Sequence, residues 1–121
     1  MTTFGARRNQ PTQFLYRLTP SNPDMLGRSP LPHEAEAIHE HYDYLKQLSV
    51  IGTVILMGRT ATDDENAFGL VIFEAGSEAE ARQIVDEDPA VQSGLMRAEL
   101  FPFRVMIQRR PPSIQSYSSR A

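Results

Sequence analysis

Apolar positions between Pro32 and Val50 recur at helical spacing: Ile38, His41, Leu45 and Leu48 follow one another at steps of three, four and three, which places them on one stripe of an α-helix. An imidazole sits inside that stripe, so the pattern points His41 inward. Pro32 suits the first turn, where a missing amide hydrogen costs little, and Glu34 and Glu36 suit the positive end of the helix. Gly52, just past Val50, is placed to cap the other end. Ahead of the helix, Phe14 to Leu18 form a short β-prone run that stops at Thr19-Pro20, and a loop rich in Pro, Ser, Asn and Gly follows through Pro32.

After the helix the period changes. Thr53 to Thr60 and Ala67 to Glu74 read as two strands, joined by the polar stretch Ala61 to Asn66 and therefore expected to pair antiparallel. Ser77-Glu78-Ala79-Glu80 has capping-box spacing and starts a second helix. That helix should stop before Pro89, because the residue preceding a proline is pushed out of the helical region, with one further turn expected between Pro89 and Gly94. A last strand is predicted from about Arg97 to Gln108, alternating Leu100, Pro102, Arg104 and Met106 with Phe101, Phe103, Val105 and Ile107; Pro102 favours an edge.

The predicted order is βαββαβ, a ferredoxin-like α+β fold with two helices on one face of an antiparallel sheet. The two central strands, Val54-Ile55-Leu56-Met57 and Leu70-Val71-Ile72-Phe73, are apolar on both faces. Two helices cannot cover both sides of a sheet. The open face is expected to meet a second copy of itself, giving a homodimer with facing sheets. The domain is expected over residues 13–109, with a flexible N-terminal arm over 1–12 and a disordered Pro- and Ser-rich tail over 110–121.

Length and charge narrow the function classes. The 121 residues suffice for one core and not for two. Twelve basic against fifteen acidic residues give a net charge of −3, which argues against nucleic acid as a partner. The cations are eleven Arg and the single Lys46; Arg suits bidentate contact with carboxylates or phosphates, so a small organic ligand with an anionic group is admitted. With no Cys there are no disulfides, thiolate nucleophiles or cysteine metal sites. No segment has the length and apolarity to span a bilayer, no signal-peptide core is visible, and a cytoplasmic setting is expected.

The candidate chemistry centres on His41. An imidazole has an ordinary pKa of about 6.5, and a neighbouring carboxylate fixes its tautomer. Asp88, before Pro89 at the end of the second helix, is placed to supply that carboxylate, giving a general acid/base pair. Each residue has a plainer role as well: His41 as a hydrogen-bonded core residue, Asp88 as N-cap of the turn that follows. Tyr44, one turn beyond His41, is either a donor to a substrate oxygen or cover for the core edge. Tyr16 and Arg17 point to opposite faces of the first strand, and the sequence does not say which faces the helices. His33, His39 and His41 lack the spacing of a metal site, and Asp63, Asp64 and Glu65 read as a solvated turn, so neither a metal nor another cofactor is expected.

This order of elements resembles the YCII-related family of the dimeric α/β-barrel superfamily. The resemblance covers about Gln13 to Gln108 and rests on His41-x-x-Tyr44-Leu45, on Gly52 and the strand ending Met57-Gly58, on the Ser77 capping box, and on Asp88-Pro89 followed by Ser93-Gly94-Leu95. It implies a His and Asp pair lining a small pocket, carried here by His41 and Asp88, and a homodimer. Many members carry an Arg three residues before the helix His and a Pro after the Gly matching Gly58. Here those positions are Ile38 and Arg59, so Arg59 becomes a candidate replacement cation. One branch of the family removes chloride from a chlorinated hydroxyquinol, which implies a cofactor-independent lyase or isomerase, with substrate contacts assigned to Tyr16, Tyr44 and Arg59. The alternative is a non-catalytic metabolite-binding or protein-interaction module, since no second reactive group accompanies His41. A third reading, from other dimeric α/β-barrel proteins, would use His41 as an axial haem ligand.

Overall fold

The computed structural model describes residues 12–110. Its elements run in the expected order: β1 (Gln13–Pro20), α1 (Pro32–Val50), β2 (Val54–Arg59), β3 (Gly69–Glu74), α2 (Glu78–Asp86), the one-turn α3 (Pro89–Gln92) and β4 (Met96–Phe103). A 3-10 turn at Pro23–Met25 interrupts the loop between β1 and α1. The expected N-terminal arm and C-terminal tail lie, apart from Thr12 and Arg110, outside the described residues.

The four strands form one antiparallel sheet in the order β2-β3-β1-β4. The strand beginning at Val54, expected to be central, is therefore an edge. The interior places go to β3 and β1, because β1 pairs with both β3 and β4. β4 occupies the other edge, where the proline at Pro102 has no outer ladder to break. Its pairing ends at Phe103, opposite Gln13, rather than running to Gln108. Arg104 to Gln108 keep the alternating pattern, but β1 offers no residue for them to pair with. The shift in register between Val54 and Leu56 is a bulge that the unbroken apolar run did not announce.

Direct cross-strand partners share a face, so the register settles the two sides of the sheet. Phe14, Tyr16 and Leu18 of β1 and Val71 and Phe73 of β3 are buried against the helices. Tyr16 meets Phe73 edge-on with ring centroids 5.6 Å apart, and Phe14 stands 5.9 Å from the same ring; such pairs add about 1 kcal/mol beyond their burial. On α1 the buried residues are Glu34, Ala37, His41 and Leu45, so the inward stripe contains the imidazole and, two turns earlier, a carboxylate.

Local signals fix the helix ends. Gly52 takes φ +88 after the last turn of α1, a conformation that suits glycine. Ser77 Oγ accepts from the Glu80 amide at 3.1 Å, while Glu80 reaches one residue further back than a standard capping box and accepts from the Gly76 amide at 2.7 Å. Asp88 caps α3 by accepting from the Ala90 amide at 2.9 Å.

Candidate functional site

Three elements converge on Asp88. α2 ends at Asp86 and the cap of α3 holds Asp88 in place, fully buried beneath α1. His41 comes down from the middle of α1, 6 % exposed, and its Nδ1 lies 2.7 Å from Asp88 Oδ1 and 2.9 Å from Oδ2. From the helix side of β1 the Tyr16 hydroxyl donates to Asp88 Oδ2 at 2.7 Å. The carboxylate thus receives an imidazole, a phenol and a backbone amide together.

A carboxylate only accepts, so the Nδ1 of His41 is its donor, and in the neutral ring Nε2 is then the nitrogen that carries the lone pair. Among the described residues Nε2 has no hydrogen-bond partner, yet no fully buried side-chain nitrogen or oxygen there lacks one. Nε2 therefore keeps an open side. His41 lines a cleft of about 830 Å³ bounded by the end of β1, the loop 21–31, α1 and the β2–β3 hairpin. Its walls are largely apolar, with Ile38, Met57, Phe68 and Met96 among them. The ring of Tyr42 meets the His41 ring edge-on, centroids 5.5 Å apart, and also borders the cleft.

The Arg, Glu and Asp side chains of the lining are Arg28, Glu34, Arg59 and Asp63. Arg28, in the loop, grips Glu34 with both terminal nitrogens at 2.8 and 3.0 Å, and the Leu31 amide donates to the same carboxylate at 2.9 Å. The Arg28 guanidinium, then the Leu31 amide, hold the Glu34 carboxyl down at about 2. Arg59 is paired with Asp63 across the start of the hairpin turn.

Of the residues singled out from sequence, His41 and Asp88 meet and Arg59 borders the same cleft. Tyr16 lies behind Asp88 and does not line the cleft. Tyr44, expected among the substrate contacts, faces elsewhere: its hydroxyl donates to the Ile84 carbonyl at 2.6 Å and ties α1 to α2. Burial, then the charges of Glu87 and Asp88, push its phenol up to about 12. Arg28, Glu34 and Tyr42 were missed. A usable signal existed for Glu34, which stands seven residues before His41 on the same stripe.

Among the described residues no group of three or more His, Asp or Glu side chains is arranged to hold a metal ion, and no helix is long and apolar enough to cross a membrane.

Comparison with known proteins places the chain. The sequence profile of the YCII-related domain matches residues 14–104, most of the chain. No curated protein matches. Among solved structures, one that matches is the 5-chloro-2-hydroxyhydroquinone dehydrochlorinase of Burkholderia phenoliruptrix AC1100 in complex with 2,5-dihydroxybenzoquinone. It is 21 % identical, the alignment covers 76 % of this chain and 93 % of that one, and the TM-score is 0.58. At that identity the likeness establishes a shared fold.

Proposed function

Because the chain belongs to the YCII-related family, we propose that it is a cofactor-independent lyase or isomerase acting on a small organic molecule, with His41 as acid and base and Asp88 as the carboxylate that orients it. The observation that carries this reading is the buried Asp88 carboxylate on Nδ1 of an imidazole whose other nitrogen is left open beside an 830 Å³ cleft. Nε2 takes a proton from carbon or hydroxyl of the ligand. The electron pair left behind either expels a leaving group from the adjacent carbon, which is elimination, or shifts a double bond so that the same proton returns elsewhere, which is isomerisation. Asp88 holds the tautomer and stabilises the imidazolium that forms.

The apolar walls fit a flat hydroxylated ring or a modest organic acid, and the dihydroxybenzoquinone held by the dehydrochlorinase supports the first of these. Arg59, on the cleft wall, is the residue assigned to contact an anionic oxygen of that ligand. The working unit is a homodimer closed through the open sheet face, in the cytoplasm.

The test is a turnover screen over hydroxylated quinols, quinones and small aromatic acids, run in D2O so that proton transfer to carbon is recorded even without net reaction. His41→Gln is expected to keep the fold and to lose at least about 100-fold in rate. Ligands that bind with no turnover and no exchange would make the protein a metabolite-binding module instead.

A further inference from the structure

We propose that Tyr16 is a positioning residue for the His41 base, acting through the hydrogen bond from its hydroxyl to Asp88 Oδ2. The inference rests on the reading of His41 and Asp88 as an acid/base pair and adds a third member to it. Tyr16 is fully buried among Phe14, Phe73 and the underside of α1, a place that a phenylalanine ring would fill equally well. A buried hydroxyl is costly unless it is bonded, and this one is spent on Asp88 at 2.7 Å. Tyr16 and Asp88 both stand outside the residues that line the cleft, so Tyr16 acts on a ligand only through Asp88 and then His41.

Two consequences follow from the geometry. Tyr16 on Oδ2 and the Ala90 amide on Oδ1 pin both oxygens, so the carboxylate plane is fixed before His41 is considered. The phenol also draws charge from Asp88, which weakens its pull on the Nδ1 proton and keeps that proton on the ring. Tyr16 is suited to remain a donor: burial first, then the charge and hydrogen bond of Asp88, raise its proton affinity well above the ordinary phenol range. It cannot compete with His41 as a base.

The experiment reads the Nδ1-bound proton of His41 by NMR in the full chain, with His41→Gln to assign it. In Tyr16→Phe the carboxylate becomes the stronger acceptor and the resonance moves downfield. With 3-fluorotyrosine incorporated at position 16, a more acidic phenol takes more of the carboxylate's charge and the resonance moves upfield, which keeps the test available if Tyr16→Phe fails to fold. A resonance that stays in place in either variant would overturn the role of Tyr16 while leaving the His41 and Asp88 pair intact. A wild-type spectrum with no Nδ1-bound proton would instead remove the pair on which the inference rests.

Discussion

Asp88 is the residue on which most of the site depends, because one buried carboxylate serves the Tyr16 hydroxyl, the His41 ring and the Ala90 amide. Removing it strands three donors at once. Asp88→Ala is expected to cost about 2 to 4 kcal/mol in a denaturant titration, several times the cost of an ordinary cap substitution. A loss near 1 kcal/mol would reduce Asp88 to a helix cap. Side chains at this scale were unevenly legible. His41 announced itself because a titratable group on an apolar stripe breaks the pattern, and Asp88 because Asp before Pro ends a helix. Tyr16 stayed ambiguous, since a strand residue's face is fixed by cross-strand register, which the chain reveals only when it pairs. Arg28 was invisible for another reason: it comes from a Pro, Ser and Gly loop with no periodicity, and its partner is defined only by the fold of that loop onto α1.

Among the elements, the loop 21–31 and α1 are joined by the Arg28 and Glu34 pair, and this join is pH-dependent in a defined direction. Glu34 is depressed from an ordinary carboxyl value near 4.3 to about 2. The pair's contribution is therefore complete above about pH 4.3 and is lost as pH falls through about 2. Unfolding midpoints of wild type and Glu34→Gln should differ by a constant amount at neutral pH and converge between about pH 4.3 and 2. A gap that persists in acid would show that packing, not charge, joins the loop to the helix. The order of α-helices and strands was legible because each helix carries its own start signal, Pro32, Ser77 or Asp88-Pro89, and each strand its own apolar run. Lengths were not. β4 stops where β1 runs out of partners, and the bulge in β2 arises from pairing with β3, so both are properties of the sheet and not of either segment.

Among the described residues, the two helices cover only one face of the sheet. On the sheet face away from the helices, Phe101, Leu15, Ile72 and Leu56 are direct cross-strand partners, an apolar row that crosses all four strands. Phe101 is 43 % exposed, Leu56 48 % and the neighbouring Phe103 38 % in the single chain. Two such faces packed together would remove the row from water. Sedimentation should give twice the chain mass for wild type and a folded monomer for Leu56→Glu/Phe101→Glu, whose positions lie outside the helix-side core. A wild-type monomer at tens of micromolar would leave the open face to another partner. The proposed chemistry turns on a single atom, His41 Nε2, which a neutral ring bonded to Asp88 through Nδ1 leaves free of a proton. Its most direct test is the ring 15N spectrum of His41 in the free protein, compared with Asp88→Asn and assigned with His41→Gln. The expected result is a proton on Nδ1 and a bare Nε2 in the neutral ring of wild type, with that preference lost in Asp88→Asn. A neutral ring protonated on Nε2, or one indifferent to Asp88, would contradict it.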